Sequence, residues 1–126
     1  MRPGGAHWRS EFQTDLLSLV DRERSRSQRY RIRSCLVVFD LSKAVRPDRR
    51  AVALLRGLSR RVRAADSIGR LDEERIGLLL PATGLEGAGK VVHDVLGSWQ
   101  HEEVPRCTVH CYPEHDALVS EELAAE

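Results

Sequence analysis

Four carboxylates, Asp40, Asp72, Glu73 and Glu74, stand where the sequence pattern places the end of a strand and a tight turn. Asp40 directly follows an apolar run that is typical of a buried strand, and the other three separate two strand-like segments. Two such carboxylates could hold a magnesium ion and position a phosphate, because hard divalent cations prefer oxygen ligands. On the residues alone, a solvated acidic hairpin turn is the favoured interpretation.

A second segment, Gly84-x4-Gly89-Lys90, has the spacing of a phosphate-binding loop and follows a strand-like segment. Position 91 is Val, which cannot bind magnesium, and Glu86 would place a negative charge in the phosphate cradle. Thr83 and Glu86 instead match a capping box, in which two side chains satisfy free backbone N–H groups at a helix start. We therefore predict a capped helix here.

The three cysteines, Cys35, Cys107 and Cys111, all fall in strand-like segments, and free buried thiols explain them. Cys107 and Cys111 also form a Cys/His cluster with His110 and His115, which could be a zinc site. Alternation along a strand places positions 107 and 111 on one face and His110 on the other, so the ligands would be scattered. We expect no metal site and no cofactor.

Charge is distributed unevenly: residues 1–63 carry 16 Lys and Arg against 6 Asp and Glu, whereas residues 64–126 carry 4 against 13. The favoured interpretation is that the two halves complement each other within the fold or across a dimer. Alternatively, the basic half binds an anion, a membrane surface or nucleic acid. We expect no nucleic-acid binding, because the arginines lack interleaved aromatic residues on which bases stack. In a continuous first helix, one face would carry Arg22, Arg26, Arg29 and Arg33.

A length of 126 residues fits one domain, and 41% hydrophobic with 31% charged residues is ordinary for a soluble globular protein. The apolar runs are too short to cross a bilayer, and residues 1–6 lack the apolar core of a secretion signal. We expect a cytoplasmic protein with a flexible lead-in at residues 1–9 and one domain at residues 10–126.

Periodicity predicts elements in the order α-β-α-β-β-α-β, with a further short helix at residues 117–125. The first helix should begin near Ser10, and the second should end near Asp66. Helices that connect strands pack on a sheet, so we expect an α/β sandwich with a central mixed β-sheet flanked by helices. The second helix should bury a stripe that consists of Val52, Leu55, Leu58 and Val62.

From Phe12 to Tyr112 the chain resembles the GGDEF domain, the fold of diguanylate cyclases. Asp72-Glu73-Glu74-Arg75-Ile76 takes the position of the Gly-Gly-Asp/Glu-Glu-Phe signature turn. Leu36–Asp40 is similar to the family's first core strand, which ends in a magnesium-binding aspartate. Arg63-Ala64-Ala65-Asp66 is similar to the Arg-x-x-Asp inhibitory site, which binds cyclic di-GMP, and it lies five residues before the turn.

The departures from the family pattern imply a domain without cyclase activity. Asp72 and Glu73 replace the two glycines, adding side chains and negative charge where a triphosphate would approach. Glu74 keeps the first acidic position, whereas Arg75 replaces glutamate and Ile76 replaces phenylalanine. We therefore expect that the protein is not an enzyme.

No catalytic residue is assigned, and Asp40 and Glu74 are at most a vestigial metal site. The segment between Asp40 and Arg63 is too short for the part that recognises guanine in the family. It reads Ser42-Lys43-Ala44-Val45 where the family has its further pattern of polar residues.

Arg63 and Asp66 keep two interpretations. In a cyclic di-GMP site, the arginine would fork onto guanine or phosphate and the aspartate would accept a hydrogen bond from the guanine edge. In a structural role, they would form an i/i+3 ion pair on a helix. Family sites recruit another arginine from the helix after the hairpin; that position is Asp94 here, with Lys90 one turn away.

The resemblance thus implies a catalytically inactive GGDEF-like domain with a regulatory or protein-interaction role. The interaction could be with a second copy of the same chain. Leu71–Pro81 is similar to a degenerate form that accompanies bacterial exopolysaccharide genes and sugar transferases, so we expect a role in bacterial signalling or exopolysaccharide control. The alternative is a cyclic di-GMP receptor that uses Arg63, Asp66 and Lys90. An active diguanylate cyclase ranks last.

Overall fold

The computed structural model describes residues 12–44, 46–99 and 104–113. The elements in these ranges are α1 (Phe12–Tyr30), β1 (Ser34–Asp40), α2 (Pro47–Arg61), β2 (Ser67–Arg70), β3 (Arg75–Leu80), α3 (Leu85–Gly97) and β4 (Arg106–Tyr112). The predicted order α-β-α-β-β-α-β is confirmed. The predicted lead-in at 1–9, helix start at Ser10, last helix at 117–125 and the cluster member His115 lie outside the described residues.

The four strands form one sheet in the spatial order β2-β3-β1-β4, and every pairing is antiparallel. The expectation of a mixed sheet is therefore wrong. β1 and β2 do run in the same direction, as strands joined by a crossover helix do, but β3 is inserted between them. In this split β-α-β arrangement the hairpin reverses the chain, so each strand has only antiparallel neighbours.

The central strand β1 is buried on both faces, which confirms the prediction from its apolar run. Cys35, Val37 and Phe39 belong to a core that α2 and α3 complete. Leu36 and Val38 belong to a second core, on the opposite face, that includes Leu16 and Val20 of α1. The predicted α/β sandwich is thus confirmed, with helices on both faces of the sheet.

Helix α2 buries Leu55 and Leu58 as predicted, and Val62 packs partly buried against the same core, but the prediction for Val52 is wrong. Val52 is 40% exposed, and the buried residues of the helix are Ala51, Leu54, Leu55 and Leu58. The helix also ends at Arg61, because Val62 adopts an extended conformation and the chain then turns. The prediction that the helix continues toward Asp66 is therefore wrong, and the turn changes the setting of Arg63.

Helix α1 ends at Tyr30, and Arg31 takes a left-handed conformation with φ 59°. Arg33 therefore lies beyond the helix, and the predicted basic face is reduced to Arg22, Arg26 and Arg29. Among the described residues, no helix combines the length with the apolar character that a membrane crossing requires.

A buried polar network joins α1 to the beginning of β1. Ser34 Oγ donates to Glu23 Oε2 at 2.8 Å and accepts a hydrogen bond from Ser27 Oγ at 3.0 Å. Arg26 donates to the same Glu23 oxygen at 3.1 Å. Buried charges need such partners, because an unpaired carboxylate away from water is costly. The network therefore holds α1 in register on the sheet.

Helix α3 begins without the predicted capping box. Its N-cap residue is Gly84, and no side chain caps the helix start. Thr83 Oγ1 instead donates to the carbonyl oxygen of Pro81 at 3.0 Å and accepts from Arg63 Nη2 at 2.9 Å. The Thr83 hydroxyl thus binds Arg63, which is twenty positions away in the sequence, and does not cap the helix. The prediction of a capping box is therefore wrong.

Candidate functional site

The hairpin turn between β2 and β3 is the first candidate site. Arg70 pairs with Ile76 at the end of the ladder, and Leu71 N–H donates to the carbonyl oxygen of Arg75 at 2.8 Å. Asp72, Glu73 and Glu74 therefore form the tip of the hairpin, as the sequence predicts. Their side chains lie at the end of the sheet where β1 also ends.

The carboxylate of Asp72 accepts two hydrogen bonds from residues of this turn. Its Oδ1 accepts the backbone N–H of Glu74 at 2.9 Å, and its Oδ2 accepts Arg75 Nε at 2.8 Å. Partial burial acts to raise the pKa of Asp72, but the hydrogen bonds from Glu74 and Arg75 and the charge of Arg75 outweigh it. The pKa of Asp72 is therefore lowered from its usual value.

The other side chains of the turn point to solvent. Glu73 and Glu74 are exposed, and Arg70 Nη1 donates to the backbone carbonyl of Glu73 at 3.1 Å. Ile76, the last residue of the signature frame, is fully buried in the core under α2 and α3. The carboxylates of Glu73 and Glu74 are thus exposed to water. Arg70 binds the backbone of the turn, and Arg75 binds the Asp72 side chain.

Asp40 is brought to the same end of the sheet. Leu41 N–H donates to the carbonyl oxygen of Glu74 at 2.7 Å, which extends the pairing of β1 with β3 to the hairpin tip. Asp40 lies opposite Arg75 on β3 and opposite Arg106 on β4. Its Oδ1 accepts the backbone N–H of Ser42 at 2.8 Å. The register therefore places an arginine opposite Asp40 on each neighbouring strand.

The proposed vestigial metal pair, Asp40 and Glu74, is thus close in the ladder, although no group of three or more Cys, His, Asp or Glu that could hold a metal ion occurs in the part of the chain that the structure describes. Hard divalent cations take six or more oxygen ligands, of which carboxylates supply only part. Sequence reasoning did not find Arg106 as a neighbour of Asp40; only the register of β4 reveals it.

Arg63 and Asp66, the second candidate site, lie in a turn between α2 and β2, not on a helix. Asp66 Oδ2 accepts the backbone N–H of Arg63 at 2.8 Å, and its Oδ1 is 3.3 Å from Arg63 Nη2. The Asp66 side chain is only 2% exposed, whereas that of Arg63 is 59% exposed. The i/i+3 ion pair exists, but the helix assumed for it does not, because α2 ends at Arg61.

The Arg63 guanidinium also reaches the loop that follows β3. Its Nη2 donates to Thr83 Oγ1 at 2.9 Å and approaches the carbonyl oxygen of Pro81 at 3.4 Å. One arginine therefore ties the turn before β2 to the loop after β3. Sequence reasoning missed Thr83 as a partner, since its hydroxyl had been assigned to a helix cap.

Helix α3 supplies the remaining predicted site residues. Lys90 is exposed on this helix. Asp94, the position at which the family resemblance implies an arginine, pairs with Arg61 of α2 at 2.8 Å between Oδ2 and Nε. This exposed pair joins α2 to α3 on one face of the sheet. Its arginine, Arg61, lies two positions before Arg63 of the second candidate site.

Comparisons with solved structures give the fold. A DGC protein from Thermotoga maritima superposes with a TM-score of 0.70 at 18% identity over 82% of each chain. Diguanylate cyclase SiaD from Pseudomonas aeruginosa, solved with its activator SiaC, matches 86% of this chain at 22% identity and a TM-score of 0.70. The matched part is about half of SiaD, 51% of its chain.

A third match is the GGDEF domain of TpbB from Pseudomonas aeruginosa, with a TM-score of 0.65 at 14% identity over 91% of this chain and 77% of that one. No protein-family model and no curated protein sequence matches the chain. The structure neighbours are GGDEF and diguanylate cyclase domains, so the chain has the GGDEF fold.

Proposed function

We propose that the protein is a catalytically inactive GGDEF-like domain that acts through protein contacts in regulation. The ion pair of Asp72 with Arg75 is the observation that carries this proposal. It lies in the turn at which the resemblance to diguanylate cyclases implies nucleotide binding. A carboxylate closes the turn from a position where the family pattern has glycine.

The charges of the turn support this view. A triphosphate approaching the hairpin would meet the exposed carboxylates of Glu73 and Glu74, and two like charges 4 Å apart in water repel by about 1 kcal/mol. Arg75 could offset this repulsion, but its Nε already donates to Asp72 at 2.8 Å, and Arg70 Nη1 already donates to the backbone carbonyl of Glu73 at 3.1 Å. Nucleotide binding would therefore have to break an existing pair as well as overcome repulsion.

Two exposed surfaces of opposite charge are available for a partner. One is the acidic hairpin tip with Glu73 and Glu74. The other is the basic side of α1, where Arg22 and Arg29 are exposed, and Arg29 lies over the ring of Tyr30, which is 60% exposed. The similar fold in SiaD was solved with a protein activator, which supports a protein partner or self-association here.

The same proposal places the domain in the bacterial cytoplasm, in signalling or in the control of exopolysaccharide synthesis. Its support is the similarity of Leu71–Pro81 to the degenerate form that accompanies exopolysaccharide genes. A partner protein from exopolysaccharide synthesis would bind the surface of the domain, and the domain would convert no nucleotide.

The test is incubation with GTP and magnesium, followed by mass-spectrometric detection of cyclic dinucleotides and by sedimentation to measure self-association. We expect no cyclic product, and concentration-dependent association that charge reversal weakens. Arg22→Glu with Arg29→Glu tests the basic surface, and Glu73→Lys with Glu74→Lys is the matched change at the acidic tip. Formation of a cyclic dinucleotide by the wild type would overturn the proposal.

A cyclic di-GMP receptor is the second candidate, because the Arg63 side chain is 59% exposed in a turn that hydrogen bonds hold. The buried Asp66 carboxylate would then position Arg63 rather than contact the ligand, and the exposed Lys90 of α3 would add a positive charge. Calorimetry with cyclic di-GMP decides this candidate. Binding that Arg63→Ala abolishes and Arg60→Ala, a change at an exposed α2 arginine, preserves would support it; no heat with the wild type would exclude it.

A further inference from the structure

Two of the three cysteines meet across the sheet. Cys35 of β1 lies directly opposite Cys111 of β4 in the antiparallel ladder, and their sulfur atoms are 3.2 Å apart. Both are free thiols, and the third, Cys107, lies opposite Phe39. The register alone therefore selects one pair of cysteines from three.

From this arrangement we propose that Cys35 and Cys111 form a reversible disulfide when the protein meets a two-electron oxidant such as hydrogen peroxide. Residues directly opposite in an antiparallel ladder have Cα atoms about 4.5–5.5 Å apart. Disulfides form at Cα separations of about 4.4–6.8 Å, so the bond requires side-chain movement but no shift of the strands.

The two thiols differ in access, which sets the order of events. Cys35 is fully buried, whereas Cys111 is partly exposed on β4, which is the last of the described strands on its side of the sheet. Peroxide therefore reaches Cys111 first. Burial, followed by the hydrogen bond and the charge of Cys111, raises the pKa of Cys35, so this thiol stays protonated and reacts second.

The chemistry balances with peroxide as the oxidant. The Cys111 thiolate attacks one peroxide oxygen, which breaks the O–O bond, releases hydroxide and leaves a sulfenic acid on Cys111. The Cys35 sulfur then attacks the Cys111 sulfur, and the sulfenic oxygen leaves as water with the Cys35 proton. The two sulfurs lose two electrons together, and the peroxide oxygens gain them. A dithiol reductant reverses the bond by exchange.

The disulfide would fasten β4 to β1. The two cysteines are 76 positions apart, so the bond restricts a large part of the unfolded chain. In the chain-entropy account a loop of this size gives substantial stabilisation, and we expect a rise in melting temperature on the order of 10 °C. The oxidised protein would thus differ from the reduced one in stability without a change of fold.

The experiment counts thiols in the full chain. The protein is treated with excess hydrogen peroxide, the oxidant is removed, and free thiols are titrated after unfolding. We expect the count to fall from three to one in the wild type and to return to three after dithiothreitol. Peptide mapping should join the peptide of Cys35 to that of Cys111 within one chain.

Cys107→Ala is the matched control, because Cys107 lies on the same strand and burial raises its pKa to about 12. This variant should still lose two thiols, whereas Cys111→Ala should keep both of its thiols. Three remaining thiols in oxidised wild type, a bond to Cys107, a bond between two chains, or sulfinic acid at Cys111 would each overturn the proposal. The wild-type result stands even where a variant fails to fold.

Discussion

Asp72 and Arg75 face each other across the hairpin turn, with 2.8 Å between Oδ2 and Nε. The same carboxylate accepts the backbone N–H of Glu74, so one side chain fixes both the backbone and the cation of the turn. Arg75 in turn lies opposite Asp40 in the ladder. The register therefore places the arginine of the turn beside the end of the central strand.

Replacing Asp72 by Ala should destabilise the protein by less than about 1 kcal/mol, because the two partners are 43% and 50% exposed and solvent screens their attraction. Urea unfolding measures the change. Glu73→Ala is the control, since the turn is held by its backbone carbonyl and not by its side chain. Equal costs for the two variants would contradict the role assigned to Asp72.

Acid should remove the contribution of Asp72. Its pKa is lowered in the folded protein, whereas an unfolded aspartate titrates near its ordinary value of about 3.9. The unfolded state therefore takes up protons first, and stability is fully present above about pH 5 and falls as pH drops through the folded pKa. We expect the free-energy difference between wild type and Asp72→Asn to be constant near neutrality and to shrink as the pH falls below about 5.

Asp66→Ala should cost more than Arg63→Ala. The Asp66 carboxylate is 2% exposed and accepts the backbone N–H of Arg63, so its removal takes away that hydrogen bond, at about 1 kcal/mol. Arg63 is mostly exposed, and its loss removes contacts that water can replace in part. Thermal and urea unfolding of both variants check the order, and a larger effect for Arg63→Ala would contradict it.

Ser34→Ala should destabilise the domain by about 1–3 kcal/mol, because the Ser34 hydroxyl donates to the nearly buried Glu23 carboxylate and accepts from Ser27. Ser27→Ala is the matched control, since it removes one donor and leaves Glu23 paired with both Ser34 and Arg26. We expect urea unfolding to show the larger loss for Ser34→Ala. Equal losses would mean that the network acts through packing alone.

Much of the fold could be predicted because the strongest signals are periodic. The apolar run Cys35–Phe39 indicated a strand buried on both faces, and the structure confirms it. Periodicity carries no information on which strands are neighbours, so the antiparallel insertion of β3 was not predicted. The end of α2 was placed too late because Arg61–Ala65 contains no residue that breaks a helix; the turn is stabilised by Asp66 from outside the helix.

The sequence predicts where the candidate sites lie along the chain, but it does not predict which residues from other segments contact them. The spacing of Arg63 and Asp66 indicated a pair, and the pair exists. Its third partner, Thr83, comes from a loop that only the folded sheet brings near, and the same holds for Arg106 beside Asp40. The thiol pair of Cys35 and Cys111 likewise depends on the register of β4.

The central position of β1 also has a consequence for local opening. This strand is paired along both edges, by β3 and β4, and covered on both faces. Its amide hydrogens should therefore exchange with deuterium only through unfolding of the entire domain, whereas those on the edge of β2 that pairs with no described strand exchange through smaller fluctuations. β1 would be the last segment to lose protection and would mark the cooperative unit around which the rest of the domain folds.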